Sequence, residues 1–219
     1  KKLFGDPDSQ YRILIDVPLF DPVGTGIWAR LANFYATDNA GAFFFPEIGD
    51  EVILGFLNED PRYPIILGSL YSNTIKPMAG LEPSEQNSLK AIVSKSGISL
   101  RFDDEDKVLS ILTPGGNRIV LSDKDKHITV EDQNGNSLMM SAGGIDMKSP
   151  KNITIEADEI RTLKGAMGVN LESSGGDVIV EGVNIKETAS VEYTMDGGQS
   201  ARLSSRANLA LKSGMIMIN

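Results

Sequence analysis

From Ile98 to the C-terminus, apolar and polar positions alternate in short runs. They are Ile98-Ser-Leu100-Arg-Phe102, Ile119-Val-Leu121, Ile128-Thr-Val130, Leu138-Met-Met140, Ile145-Asp-Met147, Ile153-Thr-Ile155, Val178-Ile-Val180, Leu209-Ala-Leu211 and Ile216-Met-Ile218. A period of two places every second side chain on one face of an extended strand. The separators, among them Pro114-Gly115-Gly116-Asn117, Asn134-Gly135-Asn136 and Gly143-Gly144, supply the left-handed positions that tight turns need. Run centres fall roughly every eight residues, which predicts about fifteen short strands over 98–219.

The first ninety residues have a different texture. Alternating runs over 11–17, 27–32, 51–56 and 63–71 predict strands, broken by Pro18, Pro22, Pro46 and Pro61. Trp28, the single tryptophan, is expected to anchor the core of the second strand. With Gly55 and Gly68 placed where a sheet must bend, five or so strands suit a small closed barrel of the OB type. Twelve of the fourteen aromatic residues lie in 1–90, so the composition changes there and a domain boundary is expected. The division reads as a barrel over 1–75, a polar, proline-bearing linker over 76–97 and a strand-rich body over 98–219.

A body built from Ile, Val, Leu and Met with almost no rings has a narrow interior. Short strands that each offer one or two medium side chains bury a continuous core only when neighbours stack on them. The expectation is therefore an intertwined β-prism made with copies of the same chain, most simply three around one axis. At ~4.8 Å per strand, about fifteen strands make a rod of roughly 70 Å. A single-chain β-solenoid is the alternative.

Charge and composition then narrow the function. The net charge is −9, and no basic patch is visible, which counts against nucleic acid and against adsorption to anionic lipid. The absence of cysteine excludes a disulfide scaffold and any thiolate metal site. No apolar run is long enough for a transmembrane helix. The chain opens on Lys1 without a signal-like segment, which fits a piece of a longer protein. Asp103-Asp104-Glu105-Asp106 clusters carboxylates but lacks the loop of a calcium site and reads as a solvated turn. The lone histidine, His127, falls out of phase with Ile128 and Val130 and is expected on the other face of its strand, so no metal is assigned to it. No catalytic set emerges: there is no Gly-x-Ser-x-Gly elbow and no long loop to shape a sugar cleft. The chain reads as non-enzymatic, with no cofactor.

Two stretches carry a resemblance. Trp28-Ala-Arg-Leu, Phe45-Pro46-Glu-Ile-Gly49-Asp50-Glu51-Val, Asp60-Pro61 and the closing Gly68-Ser69-Leu70-Tyr71 resemble the OB domain of VgrG and phage-baseplate spike proteins. Residues 115–145, with the Asn134-Gly135-Asn136 turn, are similar to the first turns of that family's triple-stranded β-helix. The family's hub region, a lysozyme-like domain and an effector domain have no counterpart in these residues. The resemblance implies an all-β homotrimer, an N-terminal OB collar followed by an intertwined trimeric triple-stranded β-helix. It would serve as the non-enzymatic central spike of a contractile injection apparatus: a type VI secretion system, an extracellular injection particle or a phage tail. Such a spike is assembled in the bacterial cytoplasm, meets a tube or hub protein at its N-terminal end and touches the target membrane transiently as it is delivered outward. Its C-terminal end receives a PAAR-type tip protein, which assigns Met215, Ile216, Met217 and Ile218 as the tip-docking residues. The competing readings are an OB-fold oligonucleotide or sugar binder with a fibrous stalk, and a β-helical polysaccharide-active enzyme.

Overall fold

The computed structural model of the chain describes residues 1–19 and 21–217, and the chain divides into two compact units, Lys1–Ile155 and Glu156–Asn219. The first unit opens with β1 (Ile13–Ile15), β2 (Ile27–Leu31), the short β3 (Ala36–Thr37) and β4 (Ala40–Gly41), β5 (Glu51–Phe56) and β6 (Pro64–Leu70). Four of these form a sheet in the order β1-β2-β6-β5, with β2 parallel to β6, and β3 pairs with β4 as a separate hairpin. The expected strands are all present; Glu51–Phe56 has its expected limits and the other three are shorter at their ends than the alternation suggested. The ladder between β5 and β6 slips between Ile53 and Leu54, opposite Gly68 and Ile66. That irregularity sits beside one of the two glycines expected to bend the sheet.

One face of this sheet forms the core. Ile13, Ile15, Ala29 and Ile66 are buried, and Leu3, Val17, Ile27, Leu31, Phe45, Val52 and Leu54 pack around them. Trp28 corrects the expectation placed on it: it is half-buried and lies outside this cluster. In β2 the core face is taken by Ile27, Ala29 and Leu31, so the alternation turns the indole of Trp28 to the opposite face. The entrance to β1 is fixed by Asp6, whose carboxylate accepts the backbone N–H groups of Asp8, Gln10 and Arg12 and the Arg12 guanidinium at 2.6 and 2.9 Å. Those bonds, the guanidinium above all, hold the Asp6 carboxyl far below the usual carboxylate range.

Seven strands of five residues follow: β7 (Leu89–Val93), β8 (Ser99–Asp103), β9 (Val108–Leu112), β10 (Arg118–Ser122), β11 (His127–Glu131), β12 (Ser137–Ser141) and β13 (Gly144–Lys148). Each pairs antiparallel with the next, giving one meandering sheet. Two expectations change here. The linker drawn over 76–97 contains β7, because Leu89, Ala91 and Val93 alternate with Lys90 and Ile92 and find a ladder partner in β8. Residues 89–148 also pair within their own chain, as five-residue strands rather than triplets.

The turns explain why the meander is regular. At one end, Ser94, Thr113 and Asp132 each donate their backbone N–H to the carbonyl four residues on, and each accepts a bond from the glycine three residues on, Gly97, Gly116 and Gly135. Those glycines have φ of +89°, +94° and +86°, a conformation in which a side chain is strained. At the other end, Lys107 and Lys126 both sit at φ +55° just before the next strand. The spacing is nineteen residues in every case, so the repeating unit is a hairpin plus its two turns. The first turn of this sheet is also tied to the barrel, where Lys95 Nζ lies 2.7 Å from Glu47 Oε2.

The second unit behaves differently. No strand occurs among its described residues, 156–217, and every one of them is exposed. The runs at Val178-Ile-Val180 and Leu209-Ala-Leu211 therefore form no ladder among the described residues, and of the fifteen or so strands expected over 98–219 six occur there, β8–β13. No helix of the described residues is long and apolar enough to cross a membrane.

Candidate functional site

The meander sorts its side chains by register into two faces. Across the sheet, Ile92, Leu100, Ile111, Ile119, Val130, Leu138 and Met147 stand opposite one another in sequence, one from each strand. A second row two residues away runs through Phe102, Leu109, Leu121, Ile128, Met140 and Ile145. In an antiparallel ladder, directly paired residues point to the same side, so thirteen apolar side chains share one face. The opposite face is mixed: Arg101, Ser110, Thr129, Asp146, Ser99, Arg118, Glu131 and Lys148 stand there beside Ala91, Val93, Val108, Leu112, Val120 and Met139.

The burial of the two faces is inverted with respect to chemistry. Ser99, Ser122 and Thr129 are buried, whereas Ile119 and Val130 remain 39% and 42% exposed. A soluble single-chain sheet ordinarily hides its apolar face. Along the first row an open trough of about 630 Å³ is lined by Ile111, Ile119, Val130, Leu138 and Met147, with Ile153 at its end. The second unit, taken by itself, also exposes apolar side chains: Met167 and Val183 are fully exposed and Leu171 is 70% exposed. The two apolar rows of the sheet are extensive enough to mark an interaction surface.

Most polar contacts of this sheet lie at its turns, where they fix the hairpins, and Arg118 pairs with Glu131 across β10 and β11 at 2.7 Å. Asp103 accepts the backbone N–H groups of Glu105 and Asp106, Asp104 pairs with Lys90, and Asp106 lies 2.6 Å from Lys124. The hydrogen bond from Lys124 to Asp106 raises the lysine pKa. The acidic run is thus a salt-bridged turn. In the glycine-bearing turn between β11 and β12, Asp132 accepts four bonds, from the backbone and side-chain nitrogens of Asn134 and Asn136 at 2.7 to 3.0 Å. These bonds, led by the Asn136 amide, bring the Asp132 pKa to about 2. His127 pairs with Ser122 and lies on the face opposite Ile128 and Val130. Among the described residues no group of three or more His, Cys, Asp or Glu side chains could hold a metal ion.

Of the residues expected to dock a tip, Met215, Ile216 and Met217 are exposed at 74%, 53% and 79%. Ile218 lies outside the described residues. What the sequence reading missed is the pair of apolar rows, because it treated each run as a separate strand of a multi-chain prism. The signal was present: Gly97, Gly116 and Gly135 recur every nineteen residues, and so do Leu100, Ile119 and Leu138.

A barrel joined to a repetitive antiparallel sheet with an uncovered apolar face defines a class, that of modular proteins built to assemble. Comparison with known families gives the particular one. Residues 3–71 match the type VI secretion system/phage-baseplate injector OB domain, and residues 108–167 match the phage baseplate V C-terminal trimerisation domain. The chain belongs to the VgrG and phage-baseplate spike family. It is 36% identical over 84 residues to the type VI secretion system spike protein VgrG1a of Pseudomonas aeruginosa, covering 36% of this chain and 13% of that protein. It is 45% identical over 47 residues to the type VI secretion system spike protein VgrG3 of Vibrio cholerae, covering 22% of this chain and 5% of the other. A third relative is the actin cross-linking toxin VgrG1 of Vibrio cholerae, 44% identical over 50 residues, or 23% of this chain and 5% of that one. The chain thus spans 13% or less of the length of these curated relatives.

Proposed function

We propose that three copies of this chain assemble through the apolar face of β7–β13 and the residues that follow it, forming the non-enzymatic central spike of a contractile injection apparatus. The observation that carries the reading is the pair of apolar rows in β7–β13, whose members are half-buried or exposed rather than buried. Burying such a face is worth ~25 cal/mol per Å² of apolar area, and a closed threefold arrangement covers it on every copy at once. The match to a trimerisation domain over residues 108–167 supports the stoichiometry. A rod laddered in this way spreads axial load over many backbone hydrogen bonds, which suits a body driven into a target envelope. Assembly in the bacterial cytoplasm, attachment to a tube or hub at the barrel end and delivery outside the cell follow from the family role. Multi-angle light scattering is expected to give three times the chain mass of 23.6 kDa, and a monomer in dilute native buffer overturns the reading.

The same proposal assigns the C-terminal end to a PAAR-type tip protein, docking on Met215, Ile216, Met217 and Ile218. Three apolar ends around one axis form a small platform whose strand edges also offer hydrogen bonds. Deleting residues 215–219 is expected to abolish capture of the tip protein in a pull-down while the trimer persists. Capture at unchanged affinity puts the docking surface elsewhere.

A further inference from the structure

The turn between β11 and β12 contains the chain's one Asn-Gly link, Asn134-Gly135. Asparagine followed by glycine is the most labile asparaginyl sequence, because no side chain hinders the glycine nitrogen. That nitrogen attacks the Asn134 side-chain carbonyl carbon, a new C–N bond closes a succinimide ring, and the side-chain nitrogen leaves as ammonia. Solvent water then opens the ring at either carbonyl, giving aspartate or isoaspartate.

We infer that Asn134 is a deamidation site held in an unreactive geometry by Asp132, which acts as its guard. The Asn134 amide nitrogen, the leaving group, donates to Asp132 Oδ2 at 3.0 Å, and the Asn134 backbone N–H donates to Oδ1 at 2.9 Å. The side chain is thereby drawn back toward a residue upstream, whereas the reaction needs its carbonyl carbon to meet the next residue's nitrogen. That attacking nitrogen is itself engaged, since Gly135 donates its N–H to the Asp132 carbonyl at 3.3 Å. Both reacting groups are committed to one residue. Each equivalent turn has a capping side chain, Ser94 and Thr113 in the other two; Ser94 shares a hydroxyl bond with Ser96 and Thr113 accepts from the Asn117 amide, whereas Asp132 is the one carboxylate of the three and accepts from the amide of an asparagine that precedes glycine. The guarded link is thus the one that needs guarding.

Conversion would undo the turn that protects it. Aspartate at 134 places a second carboxylate beside that of Asp132 in place of a donor, and isoaspartate adds a methylene to the backbone of a three-residue loop. The 132-to-136 bond that sets the β11–β12 register would then be lost. A chain that lingers unfolded would lose this hairpin irreversibly, while a folded one keeps it.

The test incubates the full chain in mildly alkaline buffer, folded or in urea, and follows aspartate and isoaspartate at each asparagine by peptide mass spectrometry. Folded wild type is expected to convert at Asn134 about tenfold or more slowly than the unfolded chain, because the reactive geometry requires local opening. Folded Asp132→Ala is expected to approach the unfolded rate at Asn134 while the exposed Asn87-Ser88 link keeps its wild-type rate. A rise at both links reports global unfolding of the variant, and Asp132→Asn, which keeps an acceptor oxygen, then decides by its rate at Asn134 alone: slow conversion supports the guard and fast conversion overturns it. Equal rates for folded wild type and unfolded chain, or for folded wild type and a folded Asp132→Ala, also overturn the inference.

Discussion

Ile119→Asp is expected to leave the chain monomeric. Ile119 sits in the middle of the first apolar row, paired with Ile111 on one side and Val130 on the other. In one chain it is 39% exposed, so a carboxylate there is tolerated by the isolated sheet. In the assembly, three copies of that carboxylate would be brought together away from water. Burying an unpaired charge costs several kcal/mol per ion even after relaxation, on the order of what holds an interface together. Sedimentation velocity is expected to show one chain mass, with the circular dichroism of the sheet retained. Arg118→Gln, one residue away on the opposite face, serves as the comparison and is expected to remain trimeric. A trimer from Ile119→Asp would move the interface off this face.

The barrel has its own sensitive point. Ile66 is fully buried between β2 and β5, in a cluster whose other buried members are Ile13, Ile15 and Ala29. Truncating Ile66 to alanine is expected to cost about 2–5 kcal/mol, the transfer free energy of the lost methylenes plus the cavity they leave. The neighbours on β2 and β5 are held by ladder bonds and cannot collapse freely into the space. Trp28 reports the event, being the one tryptophan and half-buried on β2. Its emission in a urea titration is expected to shift at lower denaturant in Ile66→Ala, and an unchanged midpoint would mean that the site repacks.

Much of the barrel was legible because its strands are bounded by prolines and turn glycines and alternate cleanly; Glu51–Phe56 came out at its expected limits. Alternation gives the phase of a strand but not which phase faces inward. Trp28 was therefore placed inward as a large aromatic residue, and that argument failed where Ile13, Ala29 and Ile66 already fill the space. In the second half, period two exposed the strands β8, β10, β11, β12 and β13 but passed over β7, placed in the linker, and β9. Val108-Leu-Ser-Ile-Leu112 is apolar at four of its five positions and shows little alternation. Partner choice was the least visible property. It depends on turn length, and only the matched spacing of Gly97, Gly116 and Gly135 discloses that successive strands fold back on each other. The tip residues could be named only by resemblance, since no periodicity distinguishes the last run from those before it.

The nineteen-residue spacing has a consequence for how such a chain can change. Removing or duplicating one nineteen-codon block deletes or adds a whole hairpin, and each remaining apolar side chain keeps its face. Each block changes the stack by two strands, or ~9.6 Å at the usual interstrand distance. A block one codon longer or shorter would turn every later strand over and put Ile, Val and Met where Arg, Ser and Thr now stand. The gene segment encoding residues 94–136 therefore behaves as a ruler with discrete marks, along which recombination can lengthen or shorten the body without redesigning its interface.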